Sequence, residues 1–412
     1  MRAINIGLLF RFLRLEVLVQ VAGFFSGLLL VNYLSKAEYA IYTISTTLIA
    51  SLAIIADGGL ASGFLARAGY KVRNSQSWAP VLSAALRLRS NIFKIVLLPV
   101  AIIAFLYLDT VADRHVVVIC TLLVLVSFYF QSGISLLSQI YRIEDMAVAL
   151  QRISLGVNSL RIILISSVCF YFKSAIVAVA INMFSLLMQF AWAAKGVGNK
   201  ALLDNGCLQE SAEERGALIS YLKRQMPSSV YYVISAQFSV LFLAMFSGAD
   251  SVAEVGALGR FSIVFSILGS LMQGLVFPRF AMAKDNILHS YLKCLAFYLL
   301  PCLTIFLLFY FFSDQLLLLL GNGYDHLGVE FFLSLILAVV SGFAGAQWGL
   351  NSSRGWVPLP YVHIGIAFSS LILFSLVFPL DSVQGVLLIN ICAHSVSVLF
   401  LLGYAILKIL RV

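Results

Sequence analysis

Long apolar runs divide this chain, separated by short stretches that hold nearly all of its charge, and no other property limits its fold as severely. A helix rises 1.5 Å per residue, so a run of roughly 20 residues covers the ~30 Å hydrocarbon core of a bilayer. The runs lie near 12–34, 40–63, 91–108, 116–140, 153–172, 174–194, 226–247, 255–277, 292–312, 326–350, 356–378 and 383–407. Of 412 residues, 61% are hydrophobic and 11% charged, against about 25% charged in soluble domains. A soluble globular protein is excluded, and an all-α polytopic membrane protein with about 12 transmembrane helices is expected. The basic start before Arg14 invites comparison with a leader peptide. The run behind it is too long and shows no small-residue cleavage site, so it is read as the first retained span.

The longest polar interval, 195–224, separates six runs from six. Residues 1–195 are expected to form an N-terminal six-helix lobe, 196–225 a cytoplasmic linker and 226–412 a C-terminal lobe. The halves echo each other. Ala37-Glu38-Tyr39-Ala40 enters the second run and Ala253-Glu254-Val255-Gly256 the eighth; Leu97-Leu98-Pro99 is matched by Leu299-Leu300-Pro301 in the ninth. An even number of spans per half gives both the same orientation, hence a parallel repeat around a central cavity.

With the N-terminus inside, about 22 of the 27 basic residues fall on the cytoplasmic side, including Arg2, Arg67, Lys71, Arg87, Arg89, Arg279 and Lys284, as the positive-inside rule requires. Both termini are then cytoplasmic. The net charge of +9 is thus strung along separate loops without interleaved aromatics, which argues against a nucleic-acid partner. Six cysteines lie far apart, without zinc spacing, and are read as buried thiols; no metal or cofactor is expected. No carboxylate pair, nucleophile triad or phosphate loop is visible, so an enzyme is disfavoured.

Polar residues inside apolar runs mark function, because a charge at the bilayer centre costs about 2.5–3.5 kcal/mol on insertion scales. Arg161 lies about nine residues from Arg152, roughly 13 Å into the fifth run. Ser154, Asn158 and Arg161 follow four-then-three spacing and share one helical face. Arg260 sits four to five residues into the eighth run, shallow enough for its stem to reach the interface. Gln131 belongs to a row with Ser127, Ser135 and Ser138, and Asn390, His394 and Ser397 make another; each lines a polar cavity or joins helices. Asp57, an acid near the cytoplasmic end of the second run, is a candidate for coupling or gating, or a partner for Arg67.

The segment Tyr33-Leu34-Ser35-Lys36-Ala37-Glu38-Tyr39-Ala40-Ile41-Tyr42, then Asp57-Gly58-Gly59-Leu60 and Arg67, resembles the opening of the polysaccharide-export proteins. These are the O-antigen unit flippases within the multidrug and oligosaccharidyl-lipid exporter superfamily. The turn Gly321-Asn322-Gly323-Tyr324 is similar to that family too. The resemblance implies a bacterial inner-membrane protein that moves an undecaprenyl-pyrophosphate-linked sugar repeat to the periplasmic leaflet by alternating access. It implies lipid-linked oligosaccharide and membrane lipid as partners, with polysaccharide polymerase and chain-length proteins nearby. Arg161, Asn158, Ser154, Gln131 and Arg260 would then contact substrate. Two alternatives stay open: a drug or metabolite antiporter of the same superfamily, whose cationic substrates call for acids in the cavity, and a membrane polysaccharide polymerase, which calls for a sizeable outside loop.

Overall fold

The computed structural model describes residues 6–73, 76–144, 146–203, 212–277, 280, 286–321, 323–354, 356 and 360–410. Arg2, Cys207, Arg279, Lys284 and Asn322 of the 321–324 turn lie outside the described residues. The helices are α1 (Ile6–Tyr33), α2 (Lys36–Asp57), α3 (Leu60–Arg73), α4 (Ala79–Asp109), α5 (Arg114–Ile143), α6 (Ala147–Leu164) and α7 (Ala175–Leu203). They are followed by α8 (Ala212–Phe246), α9 (Ala249–Leu271), α10 (Ile287–Phe311), α11 (Ser313–Leu318), α12 (Gly328–Ser353), α13 (Pro360–Ser375) and α14 (Val383–Leu410). One π-helical turn each continues α6 (Ile165–Cys169) and α9 (Met272–Val276).

Among the described residues ten helices are long and apolar enough to cross a membrane. Two shorter apolar helical stretches, Gln237–Phe246 and Tyr361–Ser375, stand at the seventh and eleventh runs. The chain is therefore an all-α, multi-pass membrane protein. Its exposed apolar side chains, such as Ile95, Leu98 and Leu106, are what a lipid-facing surface requires.

Local chemistry sets two boundaries that apolarity alone misplaces. Ser35 caps α2 by accepting from the Glu38 N–H at 3.3 Å, the first half of a capping box. At the other end Gly58 adopts φ +52° and donates to Ile54, so α2 stops at Asp57 instead of running to 63. Gly59, at φ +95°, turns the chain into α3, and a Cβ there would meet Gln225 Cβ at 2.7 Å. The third membrane helix starts at Ala79, with a proline in its first turn, well before the expected 91. Arg87 and Arg89 consequently lie on a helix and not in a loop.

The chain divides into two compact units, Met1–Gln237 and Phe238–Val412. The division falls later than the 225/226 junction read from the sequence, because the start of α8 packs into the first unit. There Leu218 joins a buried cluster with Leu60, Phe64 and Ala68 of α3, Val81 and Ala85 of α4, Leu136 and Ile140 of α5, and Ala193 of α7. The segment expected as a linker is helical up to Leu203 and again from Ala212.

Each unit is built around one central helix. In the first, α5 packs against α2, α4 and α7, and α7 against α6; in the second, α12 packs against α9, α10 and α14, and α14 against α13. The order of elements is the same in both, so the repeat seen in short motifs extends to the packing. Pro99 and Pro301 lie inside the equivalent helices α4 and α10, where each removes a backbone hydrogen bond.

Candidate functional site

Helix α6 carries a half-buried polar stripe in the first unit. Gln151, Ser154, Asn158 and Arg161 follow three-, four- and three-residue spacing on one face. The side chains reach three different helices. The Gln151 amide donates to Glu16 of α1 at 2.6 Å, and Gln20 donates to the same carboxylate at 3.1 Å. Gln189 of α7 donates to the Ser154 hydroxyl at 3.0 Å. Arg161 donates through Nη2 to the Tyr42 hydroxyl of α2 at 2.5 Å.

The Arg161 guanidinium is half-buried and lies near the middle of the apolar stretch Ala147–Cys169. Tyr42, 1% exposed, holds it from behind and is itself stacked on Tyr39 at 6.1 Å. No carboxylate pairs with Arg161 among the described residues, and its Nε is buried without a hydrogen-bond partner. A guanidinium offers five N–H donors, so most of this capacity is unspent within the protein. The π turn begins directly after α6, where such irregularities shift the register of a helix face.

The other expected residues are placed differently. Gln131, on α5, makes no hydrogen bond to this stripe among the described residues. Arg260 belongs to α9 in the second unit and is already engaged in an interaction. Asp57 caps α3 by accepting from the Ala61 N–H at 3.1 Å, a satisfied helix-start role. Its expected partner Arg67 turns away from it: Nε meets Glu214 at 2.6 Å and Nη2 meets Glu213 at 2.8 Å, while Lys71 reaches Glu214 at 3.0 Å.

Glu214 is a buried carboxylate held between two cations. Burial pushes its pKa up, but the hydrogen bonds from Arg67 and Lys71 outweigh it and hold the carboxyl below its usual range. The same bond to Glu214 raises Arg67. This triad fastens the start of α8 onto α3.

Two charged residues of the interior do not stand out in the sequence. Glu16 lies just inside the first run, two residues after the basic start ends at Arg14. Arg89 reads as loop charge. In the structure Arg89 lies over the Tyr129 ring at 4.5 Å, donates to Ser132 at 3.2 Å and also donates to the Tyr129 carbonyl. It shares with Asp57, Phe93 and Phe128 the lining of a cavity of about 10 Å³, room for roughly one water. The periodicity of α6 through Gln151 was the available signal for Glu16, since a polar face that long needs partners.

This architecture has counterparts among solved structures. An inward-facing multidrug-resistance MATE-family transporter of the MOP superfamily superposes with a TM-score of 0.70 at 14% identity, over 95% of this chain and 95% of that one. The lipid II flippase MurJ, in an inward closed conformation, gives 0.72 at 14% identity, over 95% of this chain and 86% of that one. The chain has the fold of the MOP-superfamily transporters. A further member from Pyrococcus furiosus, described by the reverse polarity of its binding pocket, gives 0.62 at 14% identity over 97% and 96% of the chains. No family model and no curated sequence matches the chain.

Proposed function

We propose that this protein is a flippase for an undecaprenyl-pyrophosphate-linked oligosaccharide, such as an O-antigen repeat, carrying it to the periplasmic leaflet of a bacterial inner membrane by alternating access. Both termini are then cytoplasmic. The observation that carries the reading is the half-buried Arg161 guanidinium of the first unit, presented by Tyr42 and without a carboxylate partner among the described residues. A lipid-linked sugar leaves its tail in the bilayer, but each unpaired hydroxyl moved into hydrocarbon costs about 2–7 kcal/mol and an isolated charge far more. A cation with donors to spare, on a stripe of amides and hydroxyls, lowers both costs.

In this reading Arg161 receives the pyrophosphate, while Asn158, Ser154 and Gln131 exchange for water around the glycan. Arg260 offers a second anion contact in the other unit. A gating role for Asp57 acts through the α2–α3 turn that it caps. The likeness to a lipid II flippase supports a lipid-linked cargo. The polysaccharide polymerase and chain-length proteins are the partners that would take it onward.

One observation favours a second reading, the drug or metabolite antiporter. Glu16 puts a carboxylate beside Gln151, and an acid in the site suits a cationic cargo. Deletion of the gene separates the two. The flippase reading expects single lipid-linked repeats to accumulate on the cytoplasmic side. Accumulation of unpolymerised repeats on the outer side, or no accumulation together with loss of resistance to cationic drugs, would overturn it.

A further inference from the structure

The contact between α12 and α14 leaves a group of polar atoms with nothing to bond. The two helices run parallel, because two cross-links fix their register: Gln384 donates to Glu330 at 2.8 Å near their starts, and Asn351 Nδ2 donates to the Leu401 carbonyl at 3.3 Å near their ends. Gln347 stands one turn before Asn351, and Ser397 one turn before Leu401, which puts Gln347 and Ser397 at a similar level of the seam. Gln347 is fully buried, yet among the described residues neither its Oε1 nor its Nε2 has a partner; Ser397 Oγ and Asn351 Oδ1 are in the same state.

Such an arrangement is costly if left dry. An amide or hydroxyl moved from water without a compensating bond costs about 2–7 kcal/mol, depending on the reference. Four unmet atoms at one level of two packed helices therefore require an occupant. The set mixes donors with acceptors: an amide NH₂ and a hydroxyl proton can donate, and three oxygens can accept. Water matches both needs, and a buried water makes about three such bonds. A monovalent cation matches the oxygens alone. It would face the amide protons of Gln347 with no anion to balance it, since Glu330, the carboxylate of α12, lies about 25 Å along the helix and receives Gln384.

We infer that the α12–α14 seam is a built hydration site, in which at least one sealed water bridges Gln347 to Ser397 and Asn351. A bridging water exchanges its bonds one at a time at little cost, so these helices can shift against each other without leaving a buried group unmet at any stage. This site is separate from the stripe on α6 and does not depend on what the protein carries.

The test uses the full-length protein in nanodiscs. A map resolving ordered water is expected to show density within hydrogen-bond distance of both the Gln347 amide and Ser397 Oγ, and to lose it in Ser397→Val, whose extra methyl occupies the space. Thermal unfolding in sodium, potassium and choline chloride is expected to give the same midpoint. A direct Gln347–Ser397 bond with no density between them would overturn the inference. So would a midpoint that rises with one small cation and loses that rise in Gln347→Leu, which would make the occupant an ion.

Discussion

The helix pairs α5–α7 and α12–α14 occupy equivalent places in the two halves of the repeat and are cross-linked by different side chains. In the first, the buried Tyr141 hydroxyl donates to the Ala193 carbonyl at 3.1 Å, beside Leu136, Leu137, Ile140 and Val197. In the second, Asn351 makes the corresponding bond to Leu401, but the turn before it holds Gln347 and Ser397 unpaired. The helices bearing the candidate site diverge as well. Helix α6 presents amides, hydroxyls and Arg161, whereas its counterpart α13 presents His363, stacked between Trp348 at 5.3 Å and Phe400 at 5.8 Å. One packing scheme thus supports a first unit with a charged stripe on α6, and a second with aromatic stacking on α13 and a polar seam between α12 and α14. Backbone geometry is shared; the polar side chains decide what each half can do.

The contrast can be broken most sharply at the first unit's ion pairs. Arg67→Ala leaves Glu214 buried with Lys71 alone, and losing a hydrogen bond to a charged group costs about 1.5–3 kcal/mol. A large fall in the unfolding midpoint is expected, with partial recovery in Arg67→Lys; an unchanged midpoint would show that the start of α8 is not fastened by charge. Next comes Arg161→Ala. If its charged bonds to cargo contribute about 1.5–3 kcal/mol, flipping of lipid-linked repeats in vesicles should fall by about ten- to a hundredfold, with part retained in Arg161→Lys. Full activity in the alanine variant would remove the stripe from the mechanism.

The pH dependence is smaller and has a definite sign. Glu214 is held below its unfolded value, near 4.5, so its contribution is complete above that value and is lost as pH falls through the lower folded one. The unfolding midpoint should drop across that acid window in the wild type and less steeply in Glu214→Gln. The smallest effects belong to the two helix pairs. Tyr141→Phe should cost about 1 kcal/mol by removing one buried hydrogen bond. Amides of α12 and α14 should exchange with deuterium faster than those of α5 and α7; equal protection would mean the polar seam does not loosen its helices.

Much of the site was legible as spacing. Ser154, Asn158 and Arg161 fall on one face of any helix, and Gln151 extends that face by one more turn. The role of Asp57 was half legible: its acid character and its place before Gly58-Gly59 were plain, but its partner was not. Arg67 is ten residues away in sequence and was the natural choice, yet Glu213 and Glu214 reach it from nearly 150 residues further on. Glu16 and Arg89 were hidden because each stands near the start of an apolar run, where charge ordinarily marks the approach of a loop.

The sequence by itself determined that the chain crosses a membrane many times, in two similar halves, with a cation in the middle of the fifth run. Those properties follow from hydrophobic length, helical periodicity and the cost of burying charge, all of which act along a single helix. Only the tertiary structure decided that Tyr42 presents Arg161, that Glu16 answers Gln151, that Arg67 meets Glu214 and that Gln347 and Ser397 are buried without a bond among the described residues. Pairing between distant helices depends on which faces pack together and in what register, and a hydrogen bond a few ångströms long leaves no trace in the spacing of either partner alone.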